Sequence, residues 1–132
     1  TIEVTLRHRE LLGSQGALLA SYGFVIEPFG PQSYLLRAVP SVTRAENAAA
    51  LIAEILDGFS AGAKTLDVEQ TVAISIACHG AVRAGDTMTL DEMRNLVRDM
   101  EAIESPHTCP HGRPTMIRFT ASQLEREFGR VT

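Results

Sequence analysis

Tryptophan is absent from the 132 residues, and aromatic side chains make up only 5% of them. No apolar run approaches the roughly 18 residues that cross a bilayer, which excludes a membrane-spanning helix. No basic, apolar, small-residue stretch opens the chain, so no secretory signal is expected. Two cysteines are too few for a disulfide scaffold; they point to a reducing compartment and to thiols that react or bind metal. The sequence holds no Gly-rich phosphate loop, nucleophile elbow, recognition-helix pair, internal repeat or low-complexity tract. The first residue is Thr1, not Met, and the expectation is a processed or excised piece of a longer protein.

A surplus of positive charge is also missing. The formal net charge is -4, and residues 1–104 hold 8 Lys/Arg against 14 Asp/Glu. Affinity of the whole chain for polyanions is therefore not expected. Residues 105–132 reverse the balance, with Arg113, Arg118, Arg126 and Arg130 against Glu125 and Glu127, which permits a local contact to phosphate.

What is present is a globular composition. At 45% hydrophobic the chain is too apolar to stay disordered, and its length suits one domain or two small subdomains. Thr1–Leu6 alternates as a strand. A helix is expected from there to about Tyr22, stopped by Gly23. Phe24–Phe29 and Ser33–Val39 read as a hairpin around Gly30-Pro31. Thr43 with Glu46 is a capping-box pair opening a helix whose stripe is Leu51, Ile52, Ile55, Leu56 and Phe59, with Gly58 and Gly62 bracketing its end. The small, polar stretch Ser60–Thr65 is the one internal boundary. From Asp67 to about Ala84 a helix is apolar on most faces and leaves a narrow polar strip of Ser75, His79 and Arg83, so burial on most sides is expected, in a core or against a partner. Thr89 with Glu92 caps a further helix, which Ser105-Pro106 closes. Thr115–Phe119 alternates as a strand, and Thr120 with Gln123 caps a last helix that ends at Gly129. Helices and strands do not alternate regularly, so the expected class is α+β.

The segment Ser105–Thr115 carries the chemistry. Its three prolines are expected to hold the backbone extended, which would project Cys109 and His111 to one side. Thiolate and imidazole together suit zinc, although zinc takes four ligands, or three plus water. Arg113 adds a planar fork for a carboxylate or phosphate. Cys78, in line with Ile74 and Val82, is expected to face inward. It reads first as a buried apolar residue, and otherwise as a ligand closing a site with Cys109, His111 and His107. His79 and His8 read as solvated or helix-facing. The residues alone lead to a partial transition-metal site beside an arginine.

Cys109–Thr115, CPHGRPT, followed by a strand and a helix ending Phe128-Gly129-Arg130, resembles the C-terminal end of the MutL family of DNA mismatch-repair proteins. Ala77–Gly85, ACHGAVRAG, is similar to a second motif of that family, and Leu90–Glu104 to the helix that joins the two. Phe29-Gly30 with Tyr34–Pro40 resembles the family's hairpin. The resemblance covers essentially the whole chain. It implies two small lobes, with residues 1–66 a regulatory lobe and 67–132 a dimerisation lobe carrying the CPHGRP motif. It also implies an intracellular, cytoplasmic protein that forms a homodimer, acts on DNA, and works with the mismatch-recognition protein MutS and the replication sliding clamp. Family members with CPHGRP nick DNA with metal, zinc or manganese, and the resemblance puts Cys109 and His111 among the ligands, with Cys78 nearby. Arg83, Arg113 and Arg130 are the expected DNA contacts. The family's Asp-Gln-His-Ala motif does not occur in these residues, so the expectation is that the chain alone does not nick DNA even where its parent does. The alternative is a non-catalytic dimerisation and regulatory module braced by a structural zinc.

Overall fold

In the computed structural model of the chain the described residues are 1–61 and 65–130, the side chains of 65–67 excepted. Contacts gather into two compact units, Thr1–Ala84 and Gly85–Thr132.

The first unit opens with a strand shorter than expected, β1 (Ile2–Glu3). Thr5 is the reason. Its hydroxyl accepts the backbone N–H of His8 at 3.2 Å, an N-cap that starts α1 (Leu6–Ser21) where the strand would have continued. Gly23 ends α1 as expected, at φ 96, with its N–H donating to the Ala20 carbonyl at 3.0 Å. The hairpin also forms, as β2 (Val25–Pro28) and β3 (Ser33–Ala38). Its turn is closed by the N–H groups of Phe29 and Gly30, both donating to the Ser33 carbonyl. The antiparallel sheet has the order β1-β3-β2, and Tyr34 faces Ile2 on one side and Pro28 on the other.

The helix expected after Pro40 forms as α2 (Ala48–Ser60), but not with the expected cap. The Thr43 N–H donates to the Pro40 carbonyl at 2.8 Å, which folds 40–43 into a turn. A 3-10 turn, Ala45–Asn47, then leads into the helix. Thr43 thus sits too far upstream to cap α2, and its hydroxyl is buried without a partner. The apolar stripe is as expected: Leu51, Ile52, Ile55 and Leu56 are all but inaccessible, each worth roughly 1.5–3 kcal/mol relative to exposure. They share one core with Leu12, Leu19 and Phe24, and with Val68, Val72 and Ile76 of α3 (Thr65–Gly80).

Two glycines set how closely these parts approach. Gly58 lies inside α2 rather than bracketing its end, and a Cβ there would stand 2.6 Å from Thr71 Cγ2 of α3. At Gly80 a Cβ would stand 2.9 Å from the Val42 carbonyl oxygen. α3 stops at Gly80, four residues before the expected end, and Val82 beyond it is half exposed. Gly62 and Lys64 of the expected boundary lie outside the described residues, as do the side chains of Leu66 and Asp67 on either side of the expected lobe division.

The second unit contains α4 (Leu90–Ala102) and α5 (Ala121–Glu127), both opened by the expected capping boxes. Thr115–Phe119 is not a strand. It has no ladder partner among the described residues, and Ile117 and Phe119 are exposed. No described residue from 85 to 130 is buried, and the apolar face of α4, including Leu90, Met93 and Val97, is open. Five helices and one antiparallel sheet among the described residues make the chain α+β. No helix of these residues is long and apolar enough to cross a membrane.

Candidate functional site

The motif segment turns back on itself instead of running extended. The Gly112 N–H donates to the Cys109 carbonyl at 2.9 Å, and the Cys109 N–H donates to the Arg113 carbonyl at 2.8 Å. Cys109 to Gly112 is therefore a β-turn, with Pro110 in the second position, where its fixed φ is favoured, and Gly112 fourth at φ 80. The proline count suggested an extended chain, yet Pro110 shapes the turn, and Thr108 and Pro114 form an antiparallel bridge below it. Thr115 ties the base: its N–H donates to the His107 carbonyl and its hydroxyl to the Pro106 carbonyl.

Cys109 and His111 thus come from the first and third positions of one tight turn. The Arg113 N–H donates to Cys109 Sγ at 3.3 Å, so the sulfur is held from the backbone side. An N–H aimed at sulfur is the sort of outer contact that orients a metal-bound thiolate. The donor chemistry, thiol plus imidazole, suits a borderline metal such as zinc. The number does not: among the described residues no three His, Cys, Asp or Glu side chains are placed to hold a metal ion. The described residues alone do not complete a metal site. His107 is exposed, and it contributes its carbonyl to the turn.

The motif on α3 is arranged differently from expectation. The buried line of this helix is Val68, Val72, Ser75 and Ile76, while Ile74 and Cys78 are half-buried and Val82 lies past the end. Ser75 and His79 of the expected polar strip face α2. Ser75 Oγ donates to Glu54 Oε1 at 3.0 Å, and His79 Nε2 is 2.9 Å from Glu54 Oε2. Near-uniform apolarity of the helix had hidden its orientation, because only the partner on α2 decides which side is buried. Glu54 itself was missed. One of two carboxylates on α2, beside Ile55 of the apolar stripe, was its only signal. Of the two expected alternatives for His79 and His8, both residues take the helix-facing one: His8 Nε2 lies 2.9 Å from Asp57 Oδ1, also on α2. Cys78 and Cys109 are both half-buried and in no disulfide.

The expected DNA-contacting arginines, Arg83, Arg113 and Arg130, are all exposed. An apolar cavity of about 380 Å³ between α1 and the hairpin, lined by Leu12, Gly13, Gly16 and Phe24 among others, contains none of the expected site residues.

The chain is similar to the DNA mismatch repair protein MutL of Desulforudis audaxviator, 39% identical over 132 residues and 98% of the chain. Identity is 38% over 92% of the chain with the MutL of Rhodopseudomonas palustris, and 37% over 98% with that of Phenylobacterium zucineum. The chain spans only 23%, 21% and 21% of these relatives' own lengths. Residues 1–88 match the family model described as the MutL C terminal dimerisation domain, and the chain belongs to that family.

Proposed function

We propose that the chain pairs two copies of a DNA mismatch-repair protein and contributes Cys109 and His111 to a metal centre with which the intact protein nicks DNA. The observation that carries the metal reading is the Cys109–Arg113 turn, in which two donors of different softness hold the first and third positions and the sulfur is held by a backbone N–H. The remaining donors come from outside this turn, and zinc or manganese is the metal. When bound, the metal supplies Lewis-acid polarisation of a phosphodiester and activation of a water. Cys78 on α3 is a further candidate donor by its match to the second motif. Arg113, and with it Arg83 and Arg130, meets DNA phosphate. Such contacts are weak, because only three arginines in an acidic chain meet phosphate, and being electrostatic they fade as salt is added. In this reading residues 1–66 are regulatory and 67–132 dimerise, and the protein is intracellular, with MutS and the sliding clamp as partners.

A second reading is favoured by the second unit itself. A segment in which no described residue from 85 to 130 is buried lacks a core of its own, and small units of that kind are commonly stapled by metal. Zinc at CPHGRP would then brace the fold without chemistry.

Native mass spectrometry and a nicking assay of the purified intact protein, with and without Cys109→Ser, test both. A zinc-bearing dimer whose metal disappears in the mutant supports metal at the turn. A metal-free wild type ends both metal readings. Nicking that survives loss of the metal would leave only the bracing role.

A further inference from the structure

The carboxylate of Glu54 spans two consecutive turns of α3. One oxygen accepts from Ser75 and the other meets the ring of His79, four residues further on. Residues four apart share a helix face, so the bidentate contact fixes the rotation of the last turn of α3 about its axis. His79 Nδ1 is buried with no hydrogen-bond partner, which leaves Nε2 as the ring's polar attachment. In the neutral ring the hydrogen is then on Nε2, because a carboxylate only accepts. One residue after His79, Gly80 is pressed against the Val42 carbonyl, with no room for a Cβ. Cys78 lies in the same last turn, three residues after Ser75 and one before His79.

We infer that Glu54 is a positioning residue for the Cys78 thiol. It sets the direction in which the half-buried sulfur leaves α3, and the residues that do this sit on α2, far away in sequence. The inference rests on the reading of Cys78 as the functional cysteine of its motif only for its purpose, since the positioning itself is a property of the first unit.

The test is the alkylation rate of Cys78 by iodoacetamide in native, chelator-treated protein, followed by peptide mapping. Glu54→Ala is expected to raise it about tenfold through easier local opening, and Ser75→Ala, which keeps the His79 contact, to raise it less. Glu54→Gln, whose Oε1 can accept from the ring N–H while its amide donates to the Ser75 hydroxyl, restores most of the protection. Asp57→Ala is the control: it removes the His8 contact from the same helix and destabilises the unit without touching α3, so Cys78 labelling should stay unchanged. A rise in Asp57→Ala equal to that in Glu54→Ala, or no rise in Glu54→Ala, overturns the inference. Because labelling is measured without metal, it is independent of a zinc assay on Cys78→Ser, in which unaltered zinc content would remove Cys78 from the ligand set alone.

Discussion

Gly58 and Gly16 both lie inside helices, yet a methyl group added at each would meet opposite surroundings. At Gly58 it would come within 2.6 Å of Thr71 Cγ2, a β-branched side chain with little freedom to withdraw, whereas at Gly13 and Gly16 nothing lies within 4 Å. Alanine is the better helix former by roughly 0.8–1 kcal/mol, and overpacking costs about 1–3 kcal/mol. The balance differs by site. Gly13→Ala and Gly16→Ala should each raise stability in urea by up to about 1 kcal/mol, while Gly58→Ala lowers it by about 1–2 kcal/mol. Equal midpoints for Gly16→Ala and Gly58→Ala would show that α2 and α3 do not cross at Gly58. Glu92 gives a second prediction at this scale. Its carboxylate accepts the Thr89 backbone N–H at 2.6 Å and also serves the Thr89 hydroxyl, which holds it below the ordinary value of 4.5. A carboxyl with a depressed folded value stabilises above its unfolded value and loses that contribution as pH falls through the folded one. The start of α4 should therefore stay capped down to pH 4.5 and fray below it. The Thr89 amide shift followed by NMR against pH would show a midpoint under 4.5, and a midpoint at or above it would contradict the cap.

At the scale of elements, three Thr-x-x-Glu/Gln strings look alike in the sequence and two of them cap helices. Thr89 and Thr120 each accept the N–H three residues on, and Glu92 and Gln123 reach back. Thr43 does neither, because Pro40 draws its N–H into a turn and the helix begins only after a further 3-10 turn. Local pattern carries a cap when nothing upstream competes for the backbone, and here a proline does. Thr89→Ala should cost about 1 kcal/mol of stability for the element it starts. Thr43→Val should be neutral or stabilising, since it replaces a buried hydroxyl without a partner by a methyl group of similar size. Circular dichroism in urea checks both, and a larger loss in Thr43→Val than in Thr89→Ala would mean the Thr43 hydroxyl is bonded after all. The hairpin and the stripe of α2 were legible for the same reason as the working caps: short-range pattern and burial agree. The side that α3 buries was not legible, because a helix apolar nearly all round has no stripe to read.

Across the whole molecule, the site divides along the same line. CPHGRP is visible as chemistry from its residue types, but its shape is not, since a proline can stiffen an extended chain or take one position of a turn. The pairing of Glu54 with Ser75 and His79 joins residues more than twenty apart, and no local window contains it. The order β1-β3-β2 has a consequence in time as well as in space. Pro28 and Tyr34, opposite each other in the hairpin, are six positions apart, whereas Ile2 must find Tyr34 across thirty-two. Closing the longer loop loses more chain entropy, so the hairpin assembles early and the two-residue β1 docks last. Strand β1 is accordingly the last piece of the sheet to arrive and the first to leave.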